Sequence, residues 1–315
     1  MARHLGKRTL IFVATMLAAS VLVFGLLAVV PGDPAQVALG INSTPEALAQ
    51  MRAELGTDRP LVIQYLSWVG GMLHGDFGVS YITRQPVGPQ IFEHLQVTMW
   101  LILGGMLVAM LVAIPLGVTA ALWRRRASGT ILSGAVVVAI AIPSFILAIM
   151  LIALFAVRLQ WLPSGGWVIP AEDPVKFVKS IAMPVLTIGL IQAALLSRYV
   201  RSATLEVLNQ DYMRTARAKG LTHNAAFVRH GLRNTMIPVL TVVGLQVTAL
   251  LVDTIIIEKV FFIPGMGDLL LNGATNRDTL MVQGIVMLIV TVVLVVNLVV
   301  DLLYNVIDPR LRSSR

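Results

Sequence analysis

The sequence has no cysteine and little charge: of its 315 residues only 13% are Asp, Glu, Lys or Arg, against about 25% in an average soluble domain. The missing cysteines exclude structural disulfides, thiolate metal sites and a cysteine nucleophile. A phosphate-cradling GxxxxGK(S/T) loop is also absent, so the chain has no ATP site of that kind. No HExxH zinc helix occurs, and His4, His74, His94, His223 and His230 are scattered without ligand spacing. The expectation is a chain that binds no cofactor or metal of its own. The net charge of +8 lies between apolar stretches and forms no single basic face, which argues against nucleic acid as a partner.

What the sequence does have is apolar length, with 57% of its residues hydrophobic. Crossing a bilayer core takes about 20 apolar residues in a helix. Spans are expected near Leu10 to Val30, Val97 to Leu122, Ile131 to Val157, Ile181 to Val200, Ile237 to Ile257 and Leu280 to Leu303. The fold class is therefore an all-α membrane protein with six transmembrane helices, embedded in a lipid bilayer. A positive N-terminus before the first run raises the alternative of a signal peptide, but a cleavable apolar region spans about 7 to 15 residues. The longer run here predicts a retained first span. In the fourth span, Pro184, Gly189 and Gln192 are interruptions of a kind that packed bundles tolerate.

Lys and Arg concentrate in cytoplasmic segments near span ends. Five groups alternate with the spans: Arg3, Lys7 and Arg8; Arg124, Arg125 and Arg126; Arg198 and Arg201; Arg214, Arg217, Lys219, Arg229 and Arg233; and Arg310, Arg312 and Arg315. In a six-span arrangement all fall on one side, placing both termini in the cytoplasm. Most acids, including Asp33, Glu46, Glu54, Asp58, Asp76, Glu93, Glu172 and Asp173, fall on the other.

The organisation that follows is an N-terminus and first span (1–30), an external segment (31–96), a membrane core (97–303) with a cytoplasmic loop (201–237), and a cytoplasmic tail (304–315). The external segment is long enough to need structure of its own. Thr44 can cap a helix that Pro45 and Glu46 begin and Gly56 ends, while Leu61, Tyr65, Trp68 and Met72 recur at helical spacing after Pro60. These helices suit either a cover on which a delivery protein docks or a lid that only packs on the bundle.

In the cytoplasmic loop, Leu205, Leu208, Tyr212 and Ala216 are expected to share one helical face. Gly220 follows as a left-handed cap, with Leu221 placed for an apolar contact back to Ala216. Thr222 can cap a second helix through Ala225, Phe227 and Val228, and Pro238 opens the next span. A glycine elbow of this kind fits a partner protein's groove. Its Arg and Lys residues also suit a surface helix attracted to anionic lipid, the reading that residue chemistry alone favours while leaving both open.

Seven stretches, PGDPA from Pro31, LGTDRPLVIQYLSW from Leu55, GDFGVS from Gly75, QDYMRTARAKGL from Gln210, HGLRN from His230, FFIPGMGDLL from Phe261 and NLVVDLLYNVIDPRLR from Asn297, carry a chain-long resemblance. In order and spacing the chain resembles the permease subunits of ABC importers, of the B-type in the dipeptide/oligopeptide/nickel group. The resemblance implies the type I importer permease fold and an inward, alternating-access translocation of peptides across a bacterial inner membrane. It implies as partners a C-type permease in a heterodimer, two ATPase subunits or domains that hold ATP and Mg, and an extracytoplasmic substrate-binding protein. Where the broad importer signature reads Glu-Ala-Ala, this chain has Arg214, Thr215 and Ala216, keeps Gly220, and ends on Leu232 and Arg233. By the same resemblance Asp211, Tyr212, Arg214, Thr215, Ala216, Arg217, Lys219, Gly220, Leu221, His223 and Asn224 form the element that contacts the ATPase. Nickel complexes, glutathione or another peptide-like cargo fit that likeness too.

Polar residues inside the spans, Ser144, Gln192, Gln246, Thr248, Gln283 and Asn297, are candidates to line the pathway, although interhelical hydrogen bonding is their commoner use. Asp253 joins them, and with Asp301 it supports a competing class, a proton-coupled secondary transporter with carboxylate relays. Their positions near span ends favour solvation over a relay. An intramembrane protease would need a nucleophile facing a base, and no such pair is legible.

Overall fold

A computed structural model describes residues 2–29, 32–40 and 43–307. Pro31, Arg310, Arg312 and Arg315, and the side chains of Arg3, Lys7, Arg8 and Asp301, lie outside the described residues and side chains, as does most of the 304–315 tail. In chain order the α-helices are α1 (Ala2–Val29), α2 (Pro34–Leu39), α3 (Pro45–Leu55), α4 (Leu61–Leu73), α5 (Val87–Leu122), α6 (Ala127–Ala141) and α7 (Ser144–Leu151). They continue as α8 (Pro174–Leu208), α9 (Asp211–Ala218), α10 (His223–Ala226), α11 (Leu232–Val260), α12 (Met266–Thr275) and α13 (Thr279–Ile307). Short π-helical stretches follow α7 (Ile152–Arg158) and α10 (Phe227–Gly231). Among the described residues there is no strand beyond a single bridge between Val79 and Pro86.

Among the described residues five helical stretches are long and apolar enough to cross a membrane, and a sixth exists if α6 and the helix from Ser144 to Arg158 count as one bent span. Five of the six expected spans are thus present as helices, and the third is not the continuous helix expected over Ile131–Val157. It turns by 97°. The cause is local: Pro143 forces Ile142 into an extended conformation, at φ −81° and ψ 118°, because the residue before a proline avoids the helical region. By contrast α8 continues unbroken through Pro184 and starts well before Ile181. Asp173 caps it through the Lys176 amide at 3.0 Å, with Pro174 in the first turn. That bond and the Lys176 ammonium hold the Asp173 carboxyl below its usual range.

The chain divides into two compact units, one made of Met1–Val97 with Pro264–Val295 and the other of Thr98–Ile263 with Val296–Arg315. In the first, Thr44 accepts from the Ala47 amide at 3.3 Å to start α3, and Gly56 ends it at φ +69°. Asp33 caps α2 and pairs with Arg52 of α3 at 2.6 Å. The α4 helix packs on α1 through Tyr65, whose hydroxyl is 2.8 Å from Ser20 Oγ, and through a Phe24–Tyr65–Trp68 ring cluster. Val87, Ile91, Met266, Met281 and Ile285 form this unit's buried core.

Beside that core, the loop before α5 is fastened to the start of α13. Ser80 Oγ donates to the Asp278 carboxylate and accepts from the Ile82 and Thr83 amides. Asp278 also caps α13 through the Met281 amide at 3.3 Å.

In the second unit α5 and α8 pack closely at glycines. A Cβ on Gly105 would lie 2.5 Å from Ile188 Cγ2, and one on Gly189 would lie 2.6 Å from Val108 Cβ. Small residues give apolar helices their contact where no hydrophobic drive separates lipid from protein. Near the end of α11, Glu258 is fully buried and accepts from Thr98 Oγ1 at 2.6 Å.

Candidate functional site

The elbow expected in the cytoplasm is built from two short helices and a glycine turn in the second unit. Asn209 and Gln210 end α8, and α9 begins afresh at Asp211. The single face expected across Leu205, Leu208, Tyr212 and Ala216 is therefore broken. Its replacement is a new pair, Met213 and Ala216, both buried. Tyr212 turns outward, and its hydroxyl accepts from Asn234 Nδ2 at 3.0 Å, tying α9 to α11.

The turn is the expected left-handed cap. Gly220 has φ +92°, its amide donates to Arg217 O at 3.0 Å, and the Leu221 amide donates to Ala216 O at 3.4 Å. Those paired bonds with an apolar contact from Leu221 define a Schellman termination. Thr222 Oγ1 then accepts from the Ala225 amide at 3.3 Å and starts α10.

Beneath the turn lies a small core of Val207, Met213, Ala216, Ala226 and Phe227, joined by Leu221, Leu232 and by Val118 and Leu122 of α5. Burying side chains the size of Met213 and Phe227 contributes about 1.5–3 kcal/mol each. The elbow is thereby clamped to the ends of three helices, α5, α8 and α11. Its outer face is polar: Asp211, Arg214, Thr215, Arg217, Lys219, Gly220, His223 and Asn224 are all exposed. Arg214 leans to Asp211 at only 3.4 Å, and both side chains stay open to solvent. Such an arrangement suits transmission of a push from a docked partner into the helices, and no part of it is suited to bond-breaking chemistry.

The core positions of Met213, Phe227, Val118 and Leu122, and the bond from Asn234 to Tyr212, escaped the sequence reading. The spacing of Met213 and Ala216 was an available signal, whereas the contacts of Val118 and Leu122 join segments about 90 residues apart and leave no local trace.

The candidate pathway residues divide between the units. Gln192 on α8 and Gln246 on α11 are buried, each with its carbonyl oxygen unpartnered among the described residues, and the Thr248 hydroxyl is likewise buried and unpartnered. The α8 and α11 helices pack on one another and α7, which Ser144 begins, packs on both. Ser144 and Asn297 are partly buried, whereas Asp253 is exposed on α11 beside the exposed Val252 and Ile256. Gln283 belongs to the first unit, where it borders a cavity. Among the described residues no cluster of His, Asp or Glu could hold a metal.

An all-helical protein with several apolar spans and a clamped elbow has the make-up of a multi-pass membrane subunit. Residues 113–313 match the family described as the inner membrane component of binding-protein-dependent transport systems, and residues 1–102 match its N-terminal companion. The chain belongs to this family. Over 312 residues, 99% of each chain, it is 38% identical to the glutathione transport system permease protein GsiC of Escherichia coli (strain K12), and equally so to that of Salmonella typhimurium. Its fold is shared with a chain of the MetNI methionine ABC transporter at a TM-score of 0.56 and 17% identity, covering 69% of this chain and 96% of that one. This protein is a multi-pass inner-membrane permease of an ABC importer, a non-catalytic subunit that works with a partner permease, an ATPase and a substrate-binding protein. The type I importer fold expected from the resemblance is the fold found.

Proposed function

We propose that this chain forms one half of the pathway by which di- and oligopeptides enter the cell, and that its elbow is the contact through which ATP drives the movement. The observation that carries this reading is the elbow itself, with a solvent-facing polar surface of Asp211 to Asn224 set on a buried core shared with the ends of α5, α8 and α11. Docked in a groove of an ATPase subunit, Gly220 and its neighbours would move as one body with those helices. ATP and Mg are held by two ATPase subunits or domains, and a C-type permease supplies the other half of the pathway. Both termini and the elbow lie in the cytoplasm, and the external segment faces the binding protein. ATP and loaded binding protein each favour one access state, since a ligand of equal affinity for both would shift nothing.

Asp253 belongs to the pathway in this reading. An acid within a span is costly against lipid, so an exposed one near a span end faces water or a partner. Its carboxylate suits the ammonium group of a peptide.

The cargo has a second reading, glutathione, favoured by the relatives named for its transport. Proteoliposomes holding the complete importer test both. Uptake of dialanine or glutathione that requires ATP and loaded binding protein is the expected result. ATP turnover indifferent to the loaded binding protein would refute the importer role of the elbow, and uptake driven by a proton gradient after ATP is exhausted would return the secondary-transporter reading.

A further inference from the structure

The first unit contains a cavity of about 670 Å³ that the elbow does not explain and that, of the candidate pathway residues, Gln283 alone borders. It is bordered by the C-terminal part of α1, by α3 and α4, and by the start of α13. Its volume falls within the range of about 300–1,000 Å³ usual for small-molecule sites.

Three polar groups on its wall make no hydrogen bond to a described residue. Gln283 is only 5% exposed, yet its amide makes no hydrogen bond to a described residue. Tyr81, 8% exposed, is in the same position, and the indole Nε1 of Trp68 is buried with no partner. Burial, helped by the Asp278 charge, pushes the Tyr81 phenol up to about 12, so the hydroxyl stays neutral and able to donate. Leaving a buried donor unsatisfied costs about 1–3 kcal/mol, and the Trp68 indole, beside an amide and a phenol with bonds to give, marks a place where a ligand can supply the missing partner.

Charge at the rim indicates what kind of ligand. Arg59 and Arg277 border the cavity, exposed, and form no ion pair with a described residue. Glu54 and Asp76 border it as well. Asp76 uses one oxygen for the Gly78 amide at 2.8 Å, and Glu54 accepts only from Gln50 at 3.3 Å. Two guanidinium groups suit one anionic group in fork geometry, and two carboxylates with spare lone pairs suit an ammonium. Phe24, Phe77 and Leu280 supply the apolar wall between them.

We propose that this cavity binds a small zwitterion, a ligand carrying one ammonium and one carboxylate or phosphate group. The inference does not depend on the cargo assigned above. Two sources share the chemistry, a short peptide with free termini and a phosphatidylethanolamine headgroup.

The test uses the full-length chain in phosphatidylcholine nanodiscs, without ATPase or binding protein. Radiolabelled dialanine is measured by equilibrium dialysis, and phosphatidylethanolamine, added in a parallel arm, by its retention in native mass spectrometry. Saturable binding in either arm, weakened about tenfold or more by R277Q and by Q283L, is the expected result and names the source. N-acetylation of the peptide should weaken it similarly. W68F removes the indole N–H while keeping an aromatic ring among Phe24 and Tyr65, so a loss in that variant is not a loss of fold. Absence of binding in both arms, or binding indifferent to R277Q, Q283L and W68F alike, overturns the proposal. Uptake by the complete importer is read separately: dialanine binding without dialanine uptake leaves this site standing and removes the cargo assignment, and uptake with no binding in either arm does the reverse.

Discussion

Gly220 holds φ +92° between two helices, a conformation in which a Cβ costs about 1–2 kcal/mol and a β-branched side chain more. No neighbour lies within 4 Å of the site a Cβ would take, so the cost there is one of backbone conformation. Gly220→Asn, which tolerates the left-handed region, should retain ATP-driven uptake better than Gly220→Val, and comparison of the two initial rates checks this. Met213 carries the opposite constraint. At 1% exposure it fills the elbow's core, and Met213→Ala should cost roughly 2–5 kcal/mol, seen as a lowered thermal midpoint of the detergent-solubilised chain. For Asp253, exposed on its helix, no such loss is expected. Asp253→Asn should leave the stability within about 0.5 kcal/mol of the parent, with no clear change in thermal midpoint, while lowering uptake of a peptide with a free amino terminus.

Among the elements, the contact between α5 and α8 is the one most sensitive to side-chain size. Gly189→Leu would place a branched side chain where Val108 and the Gly105 carbonyl already stand, and overpacking of that kind costs about 1–3 kcal/mol. Its predicted signature is reduced stability with Gly134→Leu as the harmless control, since nothing lies within 4 Å of Gly134. Much at this scale was legible beforehand. The caps at Thr44, Gly56, Gly220 and Thr222 rest on local hydrogen bonds between near neighbours, and each forms as its sequence implies. The bend at Pro143 was also written locally, but length and hydropathy masked it. The break at Asn209 erased a periodicity that looked continuous. Contacts far apart in sequence, such as Ser80 with Asp278 or Val118 with the elbow, depend on the packed bundle and carry no local pattern.

For the whole molecule, the exposed apolar side chains need a covering. Leu10, Leu17, Leu22 and Leu26 along α1 are each more than half exposed, as are Leu61, Val62 and Leu66 on α4. The bilayer meets part of this need and a partner permease the rest. The absence of cysteine makes the assembly open to a clean test, because any introduced thiol is the chain's only one. Thr215 is exposed on the elbow and has no packing role beyond a bond to the Asp211 carbonyl at 3.1 Å. The most direct measurement is oxidative cross-linking of Thr215→Cys in the complete importer to a single cysteine in the groove of its ATPase, with Leu73→Cys at the end of α4 as the comparison. The account predicts a cross-linked pair from position 215 whose yield changes when ATP is added, and none from position 73. No pair from 215, or a pair from 73, would contradict it.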